Sequence, residues 1–237
     1  MTHRFFVESP VHSDRATLSG TEAHHLRNVL RAAAGDEVVL FDGTGHEYRA
    51  RIQQVSRSQV ELRILDSQIV DRELARRLVI GVALPKGERQ RWLVEKLVEV
   101  GACQLVPLST VRSIVQPSAS TLARLRRVVI EASKQCGRNR LMEIQSPLAL
   151  ADYVAAAPFD ARRWLAVPGA DRISGTKSGA GNANAVYLLI GPEGGLTDDE
   201  QDLAVRAGWQ PVSLGERILR IETAALVAAT LAAHDLL

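Results

Sequence analysis

The chain contains 237 residues, of which 46% are apolar and 24% are charged, and its formal net charge is +2. No stretch approaches the roughly 20 apolar residues of a membrane-spanning helix, so we expect no membrane association. Lys and Arg are nevertheless dense between residues 72 and 140. Such uneven basic charge indicates either a polyanion-binding face or a solvated helix surface.

The two cysteines, Cys103 and Cys136, lie far apart in the sequence. They form neither a disulfide framework nor the closely spaced ligands of a zinc site. The first ten residues lack the basic and then apolar segments of a secretion signal. We therefore expect a cytoplasmic protein with reduced thiols and no bound metal.

Residues 1 to about 70 have the pattern of a small β-rich unit. A short helix is predicted over 21–31, with Leu26, Val29 and Leu30 on its apolar side. The glycines within residues 42–45 favour a hairpin turn, because glycine tolerates positive φ. These features together predict a small barrel. Its strands are predicted at 38–41, 48–55 and 60–65.

After a polar break at residues 71–73, strand and helix patterns alternate to the C-terminus. The run 78–84 is continuously apolar, which is typical of a strand buried on both faces. Thr197 and Glu200 have the spacing of a capping box, which opens a helix that Gly208 ends. The alternation predicts a parallel sheet covered by helices on both faces. Further strands are predicted at 104–108, 164–167, 187–190 and 211–214, and further helices at 88–100, 121–136, 148–157 and 222–234.

Two segments differ in composition from the rest of this region. Residues 169–184 are rich in Gly, Ser and Asn, so they are predicted to form a flexible surface loop. The final helix has no charged residue between 224 and 233, and a helix that is apolar on all sides must be buried. Either the core of its own domain or a second copy of the chain would bury it.

A glycine-rich turn follows the apolar strand that ends at Ile190. In open α/β sheets, ligands bind just beyond the carboxyl ends of strands, and glycines let a ligand approach the backbone. The spacing matches neither a P-loop nor the dinucleotide-binding pattern. Taken alone, the turn indicates either a ligand site or a tight structural connection. Its sequence is Gly191-Pro192-Glu193-Gly194-Gly195.

A second connection of the same kind, from strand to helix, lies at 214–224. It places the apolar side chains of Ile218 and Leu219 between Arg217 and Arg220. Apolar side chains in such a loop require a surface to cover. The flat ring of an adenine would serve, with its edge bound by backbone groups of the loop.

These two segments together resemble the family of bacterial 16S ribosomal RNA uridine-N3 methyltransferases, which belongs to the SPOUT class. The pattern is Gly-Pro-Glu-Gly-Gly at 191–195, followed by Leu-Gly-x-Arg-Ile-Leu-Arg-x-Glu-Thr-Ala at 214–224. Three further segments, within 24–31, 84–101 and 131–138, resemble the family in the same order, so the resemblance covers nearly the whole chain. Ile221 departs from it, because threonine is expected there.

The resemblance implies a fold, a cofactor and partners. Residues 1–72 would form a PUA-like RNA-binding β-barrel. Residues 73–237 would form a SPOUT methyltransferase domain, an α/β fold with a trefoil-knotted parallel sheet. The knotted loops would bind S-adenosylmethionine, and the enzyme would be a homodimer. The substrate would be N3 of one uridine near the 3′ end of 16S rRNA, presented in the small ribosomal subunit.

The resemblance also implies which residues bind the cofactor. Residues 165–168 are a candidate for a third cofactor loop, beside the two C-terminal segments that carry the resemblance. The residues expected to bind S-adenosylmethionine are Ile190, Gly191, Gly195, Leu214, Gly215, Ile218, Leu219, Arg220 and Thr223.

Arginine is the expected catalytic side chain. N3 of uridine carries a proton and becomes nucleophilic as negative charge develops on the base, which a guanidinium would stabilise. Arg138 and Arg112 are the candidates, and phosphate binding is the alternative role for each. Glu193 and Glu222 would either accept the proton or cap backbone amides at a helix start.

Arg27, Arg31 and Lys86 are expected to bind RNA, with Arg27 and Arg31 one helical turn apart. Two other functions remain open. One is a SPOUT enzyme that methylates a ribose 2′-hydroxyl or another base. The other is a ribosome-binding protein that keeps the fold without catalysis, and binding of S-adenosylmethionine would distinguish it from an enzyme.

Overall fold

The computed structural model describes residues 3–8, 10–11, 13–170 and 184–234. The chain divides into two compact units. The first consists of Met1–Glu73 with Ser133–Leu141, and the second of Leu74–Ala132 with Met142–Leu237. The segment Ser133–Leu141 therefore groups with the first unit, although it lies within the predicted 73–237 domain.

A five-stranded sheet with the strand order β1-β3-β4-β5-β2 forms the first unit. β1 pairs with β3 in parallel, and the other pairs are antiparallel. The three strands predicted from the sequence are confirmed, whereas β1 and β2 are short and were not predicted. The strands are β1 (Arg4–Phe6), β2 (Arg15–Ser19), β3 (Glu37–Phe41), β4 (His46–Val55) and β5 (Gln59–Ile69).

The helix predicted over 21–31 is shorter and partly π-helical. Helix α1 (Gly20–His24) continues into a π-helical turn at His25–Val29. A π-turn has more residues per turn than an α-helix, so different positions share a face. As a result Leu26 is fully buried but Val29 is 65% exposed. The prediction that Val29 belongs to the apolar side was therefore wrong.

The turn between β3 and β4 is held by the carboxylate of Asp42. This carboxylate accepts hydrogen bonds from the Thr44 amide at 3.0 Å and from the Tyr48 hydroxyl at 2.8 Å. Burial alone would raise the pKa of Asp42, but the hydrogen bonds outweigh it and lower the pKa below its ordinary value. Gly43 and Gly45 have φ of 84° and 105°, which confirms the predicted glycine turn.

The second unit contains a seven-stranded sheet in which every pairing is parallel. Its order is β12-β10-β11-β6-β7-β8, and β9 also pairs with β7. The loop predicted at 169–184 lies between β10 and β11 and, apart from its ends, is outside the described residues. The strands are β6 (Arg77–Val82), β7 (Gln104–Ser109), β8 (Glu143–Ile144), β9 (Leu148–Ala149), β10 (Arg162–Ala166), β11 (Ala185–Ile190) and β12 (Gln210–Val212).

Helices cover both faces of this sheet, as predicted. Val79 of β6 packs with Tyr153 and Ala204, which lie on helices of one face. The final helix packs on β6, β11 and α2 from the other side. The helices are α2 (Arg89–Glu99), α3 (Ala119–Cys136), α4 (Leu150–Ala156), α5 (Asp198–Arg206) and α6 (Ile221–Ala233).

Helix α6 is buried on one side by its own domain. Ala225, Ala228 and Ala229 are almost completely buried, and their small side chains allow close packing. Leu226 and Leu231 are only half-buried. Of the helices that the structure describes, none has both the length and the apolar character needed to cross a bilayer.

Gly81 provides a test of how tightly the β6 face packs against α4. A Cβ atom at Gly81 would lie 2.3 Å from Cε1 of the buried Tyr153 ring. Burial raises the pKa of Tyr153 well above its ordinary value, so its hydroxyl stays protonated and donates a hydrogen bond to the Leu188 carbonyl at 2.9 Å. We expect Gly81→Ala to lower the free energy of unfolding by about 1–3 kcal/mol through overpacking, measured by urea denaturation.

The double variant Gly81→Ala with Tyr153→Leu is the control for this expectation. Removal of the ring creates room, so the Gly81→Ala change should cost less in the Tyr153→Leu background than in the wild type. An equal cost in both backgrounds would contradict the proposed contact.

Candidate functional site

Three loops meet where β12, β10 and β11 end. These strands are neighbours in the sheet, and the carboxyl ends of parallel strands lie at one edge. Residues 166–168, 191–196 and 214–219 contribute to the lining of a cavity of about 290 Å³. This volume is near the lower end of the roughly 300–1,000 Å³ typical of small-molecule sites. The start of α6 adds Ile221 and Ala224 to the wall.

The turn after β11 has a backbone conformation that favours glycine. Gly195 has a φ of 69°, and its amide donates a hydrogen bond to the Pro192 carbonyl at 2.9 Å. The next helix starts with the predicted capping box. The Thr197 side chain accepts a hydrogen bond from the Glu200 amide at 3.2 Å, and the Glu200 carboxylate accepts one from the Thr197 amide at 2.9 Å. The box anchors the end of the turn and so keeps its backbone in place.

The loop after β12 combines a second glycine at positive φ with an exposed apolar side chain. Gly215 has a φ of 122°, and its amide donates a hydrogen bond to the Ser213 hydroxyl at 3.3 Å. Ile218 lines the cavity, although 90% of its surface is exposed. An apolar side chain held at a cavity wall with so little cover is suited to contact a ligand.

Seven of the nine residues predicted to bind a cofactor line the cavity, together with 166–168 of the candidate third loop. Arg220 is the N-cap residue of α6 and Thr223 lies in its first turn. Neither is among the described residues that line the cavity. The seven are Ile190, Gly191, Gly195, Leu214, Gly215, Ile218 and Leu219.

The sequence analysis did not predict several other lining residues. Leu196 closes the turn after β11, where a Cβ at Gly191 would come within 3.0 Å of its Cγ. Gln201 of α5 reaches the cavity and donates a hydrogen bond to the Leu196 carbonyl at 3.2 Å. Ala224 is one helical turn after Arg220. In the sequence, the only sign that Leu196 lines a cavity is the glycine-rich turn before it. No local pattern indicates that Gln201 does so.

Arg112 lies beside the turn after β11. It follows β7 and is exposed, and its Nη1 donates a hydrogen bond to the Gly194 carbonyl at 2.8 Å. The amide of the preceding residue, Val111, donates to the Glu200 carboxylate at 2.9 Å. The predicted catalytic Arg112 is thus held next to the cavity-lining turn by two contacts from its own loop.

Arg138, the other predicted catalytic residue, belongs to the first unit. It is only 3% exposed. Its Nε donates to Oε1 of Glu73 at 3.0 Å, and its Nη2 donates to the other carboxylate oxygen. Both partners lie in the first unit, so this arginine forms a buried ion pair rather than presenting a free guanidinium.

The three predicted RNA-binding residues have different environments. Arg27 donates from Nε to Asn28 at 3.0 Å and from Nη1 to the Arg57 carbonyl. Arg31 is exposed, but it lies beyond the π-helical turn and has a φ of 54°. The prediction that Arg27 and Arg31 sit one turn apart on a single helix was therefore wrong. Lys86 is exposed just after β6, at the carboxyl edge of the sheet that carries the cavity.

No group of three or more His, Cys, Asp or Glu side chains in the described parts of the chain could hold a metal ion. Charged groups near the cavity are few. Glu193 and Arg217 line it, and Glu222 is buried in the first turn of α6. The rest of the lining that the structure describes consists of backbone, apolar side chains and the polar side chain of Gln201.

A family model described as an RNA methyltransferase domain matches residues 72–233. The chain belongs to the RNA methyltransferase family. A second model, described as an RNA methyltransferase PUA domain, matches residues 18–65 within the first unit. These two matches confirm the predicted fold class of this RNA methyltransferase, a PUA-like domain together with an α/β methyltransferase domain.

Two relatives of this RNA methyltransferase share one name. The chain is 36% identical over 219 residues to the ribosomal RNA small subunit methyltransferase E of a Synechocystis species, and the aligned region covers 90% of this chain and 70% of that protein. It is 29% identical over 241 residues to the Bacillus subtilis protein of the same name, which covers 96% and 91%. These matches confirm the family resemblance drawn from the C-terminal motifs.

Solved structures of similar proteins have the same fold. A methyltransferase from Legionella pneumophila in complex with S-adenosylmethionine superimposes with a TM-score of 0.89 at 31% identity, over 98% of this chain and 96% of that one. Ribosomal RNA small subunit methyltransferase E from Neisseria gonorrhoeae, bound to S-adenosylmethionine, superimposes with a TM-score of 0.88 at 29% identity, over 98% of both chains.

The buried ion pair of Arg138 provides a test of its role. We expect Arg138→Met to lower the free energy of unfolding by about 2–4 kcal/mol, because it leaves the Glu73 carboxylate without its bidentate partner. Denaturant unfolding would measure the loss. Arg124→Met, an exposed substitution on α3, is the matched control and should change stability little. Unchanged stability of the Arg138→Met protein would argue against a structural role.

Proposed function

We propose that this RNA methyltransferase transfers the methyl group of S-adenosylmethionine to N3 of one uridine near the 3′ end of 16S rRNA. The observation that carries the proposal is the cavity at the ends of β10, β11 and β12. Most of its lining residues come from the same two sequence segments that resemble the uridine-N3 family. The names of the relatives support ribosomal RNA of the small subunit as the substrate class.

The cavity is suited to S-adenosylmethionine on three grounds. Its apolar side chains, including Leu214 and Leu219, provide surface for an adenine ring. The glycine turns at Gly195 and Gly215 bring backbone groups to the wall without side chains. The Glu193 carboxylate lines the cavity and complements a positively charged ligand.

When bound, S-adenosylmethionine supplies an activated methyl group, and the protein supplies position and electrostatics. In the proposed reaction, Arg112 would stabilise the negative charge that develops on a uridine oxygen as N3 loses its proton. We favour Arg112 over Arg138 for this role, because the Arg138 guanidinium is already paired with Glu73. Glu193 is exposed at the cavity and contacts Arg89 at 3.2 Å, so we assign it to this ion pair rather than to proton transfer.

We further propose that Arg27, Arg31 and Lys86 bind phosphates of the rRNA. Phosphate contacts orient a nucleic acid without reading its sequence. Lys86 is exposed at the sheet edge where the cavity lies, and Arg31 is exposed in the first unit. In such a role, Lys86 would contact RNA close to the reacting base.

The proposal includes a trefoil knot, a homodimer and action in the cytoplasm on the small ribosomal subunit. Support for the knot comes from α6, which follows the edge strand β12 and packs on β6 and β11. Leu226 and Leu231 of α6 remain half-buried within one chain. A second copy that covers these side chains would complete the burial of an apolar helix.

Analysis of the methylated nucleoside tests the reaction. Small subunits and free 16S rRNA that lack the modification would each be incubated with the purified protein and S-adenosylmethionine, then digested and analysed by chromatography and mass spectrometry. We expect 3-methyluridine at a single position, formed on the assembled subunit. A ribose-methylated nucleoside or another methylated base would identify a different SPOUT activity, and no product from either substrate would contradict the enzyme assignment.

Gly195→Trp tests the cavity as the cofactor site. Apart from the two chain neighbours of Gly195, no atom of the described residues lies within 4 Å of a Cβ built there, so a large side chain has open space and would compete with a ligand. We expect calorimetry to detect no binding of S-adenosylmethionine to Gly195→Trp. Gly195→Ala carries the same backbone strain at a φ of 69° without the bulk, and should still bind. Equal affinities of the two variants would mean that the cofactor binds elsewhere.

A further inference from the structure

Arg89 connects the carboxylates of two residues, Glu193 and Glu222, that lie on different elements bordering the cavity. It is the first residue of α2 and is half-buried. Its Nη2 lies 3.2 Å from Oε1 of Glu193, and its Nη1 lies 3.5 Å from Oε2 of Glu222. Two nitrogens of one guanidinium therefore contact two acidic residues that are 29 positions apart in the sequence.

The two carboxylates belong to separate elements of the site. Glu193 lies in the turn after β11 and lines the cavity itself. Glu222 is the second residue of α6, and the residue before it, Ile221, lines the cavity. Helix α2, which carries Arg89, packs against α6. A single side chain therefore links the turn after β11 to the first turn of α6.

Glu222 depends on this contact. It is only 7% exposed, and its Oε2 makes no hydrogen bond within the described residues. A buried carboxylate without a partner is costly, and the position in the first turn of α6 compensates only in part through the helix dipole. Arg89 supplies the nearby positive charge, and it is held in one orientation because Glu193 binds its other nitrogen.

We infer that Arg89 is a positioning residue that ties the turn after β11 to the start of α6 and thereby sets the separation of two cavity walls. The inference rests on the proposed function only in so far as the cavity holds S-adenosylmethionine. A guanidinium suits the task because its planar fork binds two carboxylates at once, whereas the ammonium of lysine is a point charge. Neither substrate nor cofactor needs to touch Arg89.

Hydrogen–deuterium exchange of the ligand-free protein tests the tie directly. In Arg89→Met, amides of 191–196 and of 221–224 should exchange roughly tenfold faster than in the wild type, because both segments lose a common anchor. Arg91→Met, an exposed change two residues further along α2, is the matched control and should leave both segments unchanged. Unchanged exchange in Arg89→Met, or faster exchange in only one of the two segments, would overturn the inference.

Cofactor binding tests the consequence for the site. We expect Arg89→Met to raise the Kd and KM for S-adenosylmethionine by about tenfold and to leave kcat at saturating cofactor within about twofold, because the loss is one of pocket geometry. Arg89→Lys should restore part of the affinity. An affinity equal to that of Arg91→Met would show that the tie does not shape the cofactor site.

Glu222→Gln distinguishes a tie from simple neutralisation of a buried charge. Combined with Arg89→Met, it should recover thermal stability, because no buried charge is left unpaired, but the high Kd should persist. Full recovery of affinity would overturn the inference. If the wild type itself fails to bind S-adenosylmethionine, the proposed function fails, while the exchange experiment still decides whether Arg89 ties the two segments.

Discussion

The parallel pairing of β12, β10 and β11 is the constraint on which the site depends. Parallel strands direct their carboxyl ends to one edge, so connections that are distant in the chain meet in space. The register pairs Leu165 with Leu189 and with Pro211, and these residues come just before the three lining loops. An antiparallel arrangement would have sent successive connections to opposite edges. The cavity is therefore a direct consequence of strand direction and order.

The chemistry of the site follows from what lines it. Backbone at two left-handed glycines and a set of apolar side chains form the wall, and charged groups occupy its margin. This arrangement suits a reaction in which a bound cofactor carries the reactive group and the protein contributes orientation and local electrostatics. Arg112, held by the Gly194 carbonyl, and Arg89, held by two carboxylates, each fix a different part of that margin.

The segment Ser133–Leu141 shows why a motif does not reveal the role of its residues. Asn139 accepts a hydrogen bond from Arg4 at 2.6 Å and donates one to the Val70 carbonyl at 3.1 Å. Arg138 pairs with Glu73 in the same unit. The segment thus completes the packing of a unit whose other residues all precede position 74. An arginine that the sequence analysis named as a candidate for catalysis therefore forms an ion pair in this fold.

Local sequence determined the elements and the chemical type of the site. Alternation of apolar residues and the capping box at Thr197 depend on near neighbours, so the sheet and the α5 start could be predicted. The seven lining residues were expected from the family resemblance of the two C-terminal segments. Other features depend on contacts between distant residues. Only the tertiary structure revealed that Val29 is exposed and that Arg138 is buried against Glu73. It alone also showed that three side chains approach the cavity, those of Arg112, Gln201 and Arg89. No local pattern encodes them, because a side chain's partner is set by how the strands are ordered and packed.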